Sequence, residues 1–373
     1  MSLLVSNTEV AVAPEEKGKP GSQISFTVTP TEGETIAALC RRLAQELRAH
    51  GATPLHLLAF GDIAASAAVA DALRTNLGRV DWPVTWVEGA ACGSHPVAGL
   101  QLQAFTGEVE RISFRGRAAG SVFTDGGARQ CVIGGLLPTD QSLSRADQTR
   151  QALEDLQTVL DLGGFKLADV VRTWFYLDDI LSWYDDFNRA RTKIYSRIKF
   201  RTGSLPASTG IGAKNPAGAA LTLAAWAVQP LEENARAEEI ASPLQCPAPA
   251  YGSSFSRAME IPGQAGRHLL ISGTASIAPG GATVWQGDVR RQVELTMEVV
   301  EAILHARGYS FADLTRAVAY FKHAQDAGTL REWCETRGWP ALPMVTTHSA
   351  VCRDDLLFEL EADAFRAQTT GED

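Results

Sequence analysis

The chain has 373 residues, room for two or three domains. With 45% hydrophobic and 21% charged residues, its composition excludes a disordered, collagen-like or coiled-coil protein. A net charge of −9 argues against nucleic-acid binding, which favours basic surfaces.

The first twenty-odd residues, MSLLVSNTEVAVAPEEKGKPGSQ, lack the basic start and long apolar run of a signal peptide, so they read as a frayed leader. No apolar run reaches the ~20 residues needed to span a bilayer, so no membrane partner is expected. QISFTVTP then reads as a strand. ETIAALCRRLAQELRAHG is a helix with Ile36, Leu39, Leu43 and Leu47 on one face. PLHLLAF is a short buried strand and AASAAVADALRTNLG a second helix. From Pro83 a strand, a Gly-rich loop and another strand complete the segment.

The same order returns twice. QCVIGG and HLLISG are buried strands closed by Gly135 and Gly273. Each precedes a helix, one with Leu153, Leu156, Val159 and Leu160 on one face, the other with Val293, Met297, Val300 and Leu304. Gly164–Tyr176 and Gly308–Tyr320 then match at Gly, Ala-Asp, Arg and Tyr with identical spacing. A second helix follows in each, SWYDDFNRARTKIY and AGTLREWCETRG, and then strand pairs opening at Pro206 and Pro343. Three β-α-β-α-β-β units are therefore expected at roughly 23–107, 108–232 and 250–366, giving domains of 1–107, 108–249 and 250–373. The acidic, Pro-rich stretch Glu232–Ser254 reads as an extended linker, and FRAQTTGED at the end as a frayed tail. VVRTWFYL and LTLAAWAV are apolar on both sides, so each sheet needs cover on both faces. Three such sheets bury their open faces together around a pseudo-threefold axis, with helices outside. The fold class is thus α+β, as a covalent imitation of a homotrimer.

Six scattered cysteines without a CxxC pair read as reduced thiols, and the localisation expected is cytoplasmic. HExxH, GxGxxG, P-loop and GxSxG patterns are absent, so neither a metal nor a cofactor is expected. The eight tryptophans fall at core periods and read as core.

The ISG strand ends, the Gly-x-x-x-x-Asp passages and the closing Phe358–Ala362 string (FELEA) resemble the RidA/YjgF superfamily, over roughly 108–366. That resemblance implies chorismate-mutase-like units packed as a trimer, with small-molecule clefts between units. Many members are imine or enamine deaminases, and some are described as endoribonucleases. A narrower resemblance, to the chorismatases, rests on RTWFYL (Arg172–Leu177), FNRAR (Phe187–Arg191), LPASTGIG (Leu205–Gly212), LLISGTASI (Leu269–Ile277), QGD (Gln286–Asp288) and above all VCRDDLLFELE (Val351–Glu361). Two features depart from that pattern. PGGATVWQGD has no histidine before its Gly-Asp, and the stretch after the second unit has fewer Tyr and Pro than the chorismatase pattern implies.

Glu359 is the catalytic candidate. Strand alternation places it on one face with Glu361, and two buried carboxylates side by side do not both ionise cheaply. A raised pKa suits a general acid, and the resemblance implies protonation of an enol-ether carbon. Arg353 is the candidate carboxylate anchor, the alternative being a solvated loop arginine. RidA deaminases carry an arginine two residues after the proline, where this chain has Ser208 and Val345. For Cys352 the resemblance implies a wall residue of the hydroxybenzoate-forming kind, against a plain buried thiol. Arg172 is a second anchor candidate, with bracing of Asp169 as its structural alternative. Tyr176 and Arg191 match the chorismatase pattern, and Gly273 and Thr274 end a strand where a ligand approaches backbone N–H groups.

The expected function is a cofactor-free enzyme that releases pyruvate from chorismate or a related enol-ether carboxylate. The alternatives are an imine or enamine deaminase, and a non-catalytic metabolite-binding protein. The expected partner is a small anionic metabolite, and the expected state a monomeric pseudo-trimer or small homo-oligomer.

Overall fold

The computed structural model describes residues 10–14, 21–264, 266–339 and 341–367. The first segment holds β1 (Val10–Pro14), β2 (Gln23–Val28), α1 (Ile36–Ala49), β3 (Thr53–Gly61), α2 (Ser66–Leu77), β4 (Val84–Glu88), β5 (Ala90–Ala91) and β6 (Val97–Phe105). The second holds β7 (Glu110–Phe114), β8 (Arg117–Asp125), β9 (Ala128–Leu136), α3 (Arg145–Leu162), β10 (Val170–Leu177), α4 (Tyr184–Tyr195), β11 (Ala207–Gly212) and β12 (Leu221–Pro230). The third holds β13 (Glu238–Ile240), β14 (Ala258–Gly263), β15 (Gly266–Ala275), α5 (Val289–Ala306), β16 (Leu314–Phe321), α6 (Gly328–Arg337), β17 (Met344–His348) and β18 (Phe358–Ala367).

These strands form three sheets, ordered β1-β2-β6-β3-β4, β11-β10-β12-β9-β8-β7 and β13-β14-β15-β18-β16-β17-β5. The last recruits β5 from the first segment, where Ala91 pairs with Thr347. Thr35, Ser144 and Asp288 cap α1, α3 and α5 by accepting a free backbone N–H of the first turn. Each sheet buries a separate core under its own two helices. The opposite faces meet in one shared core, where Phe60, Phe123, Trp174, Met259 and Tyr320 come from all three sheets. Pairing helices with only one face of each sheet leaves the other face apolar, and mutual burial is its resolution. Among the described residues no helix is long and apolar enough to cross a membrane.

Three local expectations are corrected. Residues 10–14 of the leader pair with β2, Gln23 at its end opens β2, and residues 1–9 and 15–20 lie outside the described residues. Phe365–Ala367 continue β18 instead of fraying, and 368–373 lie outside the described residues. Trp285 is 46% exposed in a loop at φ +58°, under the Arg291 guanidinium, and is no part of the core.

Candidate active site

Register makes the three sheets comparable. Tyr320 on β16 faces Glu359 on β18, Tyr176 on β10 faces Thr222 on β12, and Phe60 on β3 faces Gly99 on β6. The acid therefore stands at one of three equivalent positions. At the first of the other two, a Cβ on Gly99 would lie 2.5 Å from a Val345 methyl, so valine fills that seam. At the second, Thr222 takes the place of the acid, and on the neighbouring strand a Cβ on Gly135 would lie 2.4 Å from the Val84 carbonyl oxygen.

The seam between the second and third sheets is stitched by backbone. Gly212 N–H donates to the Ala350 carbonyl (2.8 Å) and Ser256 N–H to the Pro206 carbonyl (3.0 Å). Ser208 N–H donates to Ser272 Oγ (2.9 Å), and Gly273 N–H to Thr209 Oγ1 (3.0 Å). Between these stitches lies a chamber whose polar lining includes Tyr184, Arg191, Ser208, Tyr251, Ser253, Arg257, Arg353 and Glu359, with Cys352 and Gly273. It continues outward into an open cleft that shares Tyr184, Tyr251, Cys352 and Arg353 with it.

Glu359 is 4% exposed and, among the described residues, has no ion-pair partner. Burial pushes its carboxyl up to about 8, the Glu361 charge adds to this, and Arg172 only partly opposes it. Glu361, two residues on, is fully buried but richly bonded. It accepts from Arg172 Nη2 (2.9 Å), Trp174 Nε1 (2.9 Å), Thr209 Oγ1 (2.5 Å) and Arg316 Nη2. Burial disfavours its ionisation, but Arg316 and Arg172 outweigh that and hold it below the usual carboxylate range. Arg316 also binds Asp363 (2.8 Å) and Gln101 (3.0 Å), which carries the network into the first sheet.

Glu359, Arg353, Cys352, Arg191 and Gly273 are thus brought together, whereas Arg172, Tyr176 and Thr274 do not line the chamber. Arg172 is committed to Glu361 and Thr209, and it does not brace Asp169, which pairs with Arg201. Tyr176 lies in the shared core, and Thr274 Oγ1 donates to the Ser272 carbonyl (2.8 Å). Gly273 spends its N–H on Thr209, and its lack of a side chain serves the acid. A Cβ there would lie 2.0 Å from Glu359 Oε1.

Three arginines face the chamber, and none forms an ion pair among the described residues. Arg191 is 1% exposed, bonds Asn188 Oδ1 (2.8 Å) and Ser208 Oγ (3.4 Å), and leaves its Nε unpartnered. Arg257 donates twice to the Cys246 carbonyl, and Arg353 to the Gly281 carbonyl (2.8 Å). Arg191 and Arg257 are buried and Arg353 half-buried, and buried cations without anions are costly, so this arrangement suits a ligand that brings the negative charge. Cys352 is a neutral thiol, pushed up to about 12 by burial and then by Glu359, with Tyr184 bonded to it. Among the described residues no three His, Cys, Asp or Glu side chains gather as metal ligands.

Sequence reasoning missed Tyr184, Tyr251 and Arg257. Tyr251 lies within the stretch read as a spacer and Arg257 three residues beyond its end; that stretch here runs along the chamber wall and turns through a short helical segment, Ala248–Tyr251. The one signal was Arg257 itself, a charge directly ahead of an apolar strand.

The family described as endoribonuclease L-PSP matches residues 127–228. A RutC family protein of Pyrococcus horikoshii is 30% identical over 120 residues, 32% of this chain and 92% of that protein. A 3-hydroxybenzoate synthase of Streptomyces hygroscopicus is 28% identical over 242 residues, 58% of this chain and 68% of that protein. A chorismatase crystal structure superposes with a TM-score of 0.66 at 21% identity, covering 91% of this chain and 98% of the other, which establishes a shared fold. The chain belongs to the RidA/RutC family, as a tandem member that shares the fold of a chorismatase.

Proposed function

We propose that the chain releases pyruvate from chorismate, or from a closely related enol-ether carboxylate, with Glu359 as the proton donor. The observation that carries this reading is a buried, unpaired carboxyl that keeps its proton at neutral pH, in a chamber lined by three arginines without carboxylate partners. Chorismate is a dicarboxylate with an enol ether, so it supplies both the anions and the protonatable carbon. The similarity to the 3-hydroxybenzoate synthase supports the same substrate class.

The Glu359 proton goes to the terminal methylene carbon, and the alkene electron pair forms the new C–H bond. Positive charge develops on the ether carbon and oxygen. Glu359, now an anion, and the enol-ether carboxylate both lie close to that charge and stabilise it. Water attack on the cationic ether carbon, followed by cleavage of the bond between that carbon and the ring oxygen, yields pyruvate. With water as nucleophile the ring leaves as a diol. On the other route the neighbouring ring hydroxyl attacks the ring carbon that bears the ether, the bond from that carbon to the ether oxygen breaks so that the oxygen leaves in pyruvate, the hydroxyl proton returns to Glu359, and the arene oxide so formed rearranges to hydroxybenzoate. Arg191, Arg257 and Arg353 hold the two carboxylates. Cys352, a small neutral wall residue, favours the second route by leaving no polar partner for water.

Imine hydrolysis in the same chamber is less well supported, because Ser208 occupies the place of the deaminase arginine. The test is incubation of wild type and Glu359→Gln with chorismate and separately with a 2-aminoacrylate-type imine. Pyruvate and the ring product are read from chorismate, and ammonia from the imine. Wild-type release of pyruvate from chorismate, lost in Glu359→Gln, is expected. Equal turnover by the two proteins contradicts the assignment, and chorismate binding without turnover by wild type favours a metabolite-binding protein.

A further inference from the structure

Three positive charges around one small chamber repel one another, and no carboxylate of the described residues neutralises them. Two of them donate to carbonyls, Arg257 to Cys246 and Arg353 to Gly281, and the Arg257 guanidinium carbon also lies 5.4 Å from the centroid of the Phe255 ring. One side chain is common to both. The guanidinium carbon of Arg257 lies 5.4 Å from the centroid of the Tyr251 ring, and that of Arg353 lies 5.5 Å from it. Both are within the range over which an aromatic ring attracts a cation.

Tyr251 is itself fixed. A Cβ on Gly281 would lie 2.9 Å from its ring atoms, so the loop backbone packs directly on the ring, at φ +85°. The same Gly281 supplies the carbonyl that Arg353 binds. Three residues along, Ser254 Oγ shares a hydrogen bond with Thr192 Oγ1 (2.6 Å), which ties the segment to α4. This segment is the connection between the second and third sheets. The connection from the first sheet to the second is only the short turn from β6 to β7.

We propose that Tyr251 is a positioning residue, which uses its ring to hold Arg257 and Arg353 side by side and ready for an anionic ligand. The inference rests on the chamber being an anion site, as read above. It explains why the connection runs along the chamber wall: covalent linkage of the units places one aromatic ring at one seam. The ring's negative face offsets part of the repulsion between the two cations, so they stay converged before a ligand arrives. The hydroxyl reaches only one of the two cations, as a hydrogen-bond partner of Arg257, so the ring face is the hold they share.

The test compares Tyr251→Phe, Tyr251→Leu and Tyr251→Met with wild type in the full chain. Isophthalate, a ring dicarboxylate that cannot react, is the calorimetric probe, and KM and kcat for chorismate are the kinetic readout. Tyr251→Phe is expected to bind isophthalate within about twofold of wild type, and Tyr251→Leu and Tyr251→Met about tenfold more weakly. The KM for chorismate should rise by a similar factor in the latter two, with kcat changed less than about threefold. Equal binding by wild type and the variant that folds better of Leu and Met overturns the proposal. So does a Phe variant as weak as the Leu variant, and so does a wild type that fails to bind isophthalate. A wild type that binds isophthalate but releases no pyruvate from chorismate sinks the chorismate reading and leaves this inference standing.

Discussion

Glu359 and Glu361 stand two residues apart on one face of β18 and hold opposite protonation states at neutral pH. The difference lies in their partners. Glu361 faces the pseudo-threefold axis, where Arg172 and Arg316 from two different units close on it. Glu359 faces the chamber, where Gly273 leaves room for it and nothing neutralises it. The first carboxylate is a fixed charge that helps keep the second protonated.

Removing that fixed charge has two separable effects. Glu361→Gln leaves Arg172 and Arg316 short of a buried anion, which costs about 3–5 kcal/mol of stability. It also takes away a like charge from Glu359, whose carboxyl then falls toward its ordinary value. Thermal melting reads the first effect, and a shift of the alkaline limb of the rate profile to lower pH reads the second. A destabilised variant with an unshifted limb contradicts the coupling.

Gly273→Ala is expected to remove activity with little loss of fold. The added methyl would occupy the place of the Glu359 carboxyl, 2.0 Å from Oε1, and turn the acid out of line. A loss of about a hundredfold in kcat, the lower range for a displaced general acid, is expected with a melting temperature near that of wild type. Wild-type rates in this variant contradict the close approach.

Stability should carry the mark of Glu359 as well. Its ordinary value is 4.5 and its folded value about 8, so the folded chain holds a proton that the unfolded chain has released across that window. The contribution is complete below about 4.5 and is lost as pH rises through about 8. Glu359→Gln removes this decline. Denaturant unfolding from about pH 4.5 upward should therefore show a stability difference that shifts in favour of the variant up to about pH 8 and is constant above it, and a difference that stays constant between those values contradicts the raised value.

Cys352 is expected to steer and not to attack. As a neutral thiol it should alkylate slowly at neutral pH. Cys352→Ser, which adds a stronger hydrogen-bonding partner for water, should lower the ratio of aromatic product to pyruvate while pyruvate release stays within about tenfold. Chromatography of both products checks this, and an unchanged ratio removes Cys352 from product control.

The architecture was legible because it repeats. The Gly164–Tyr176 and Gly308–Tyr320 strings, the helical stripes and the twice-apolar strands called for three sheets with a common centre, and that is the arrangement observed. Glu359 was legible through strand alternation, which pairs it with Glu361 on one face. Alternation does not say which of the two meets the arginines, because Arg172 lies 189 positions away in sequence from its partner Glu361. Arg172 read as a ligand anchor for the same reason: a repeated arginine on a strand carries no mark of its partner. Tyr251 and Arg257 were hidden by composition. A Pro-rich stretch without periodicity looks like a spacer, and only its path along the seam gives it a role in the chamber.

The central claim is that Glu359 donates a proton that it retains at neutral pH. The most direct measurement is the initial rate of pyruvate release from chorismate across neutral and alkaline pH, for wild type and Glu359→Gln. Wild-type activity should be on a plateau at neutral pH and fall tenfold per pH unit above an inflection near 8, with Glu359→Gln slower by about a hundredfold to ten-thousandfold and lacking that limb. A wild-type profile that falls already from mildly acidic pH, or a glutamine variant with the same limb and the same rate, contradicts it.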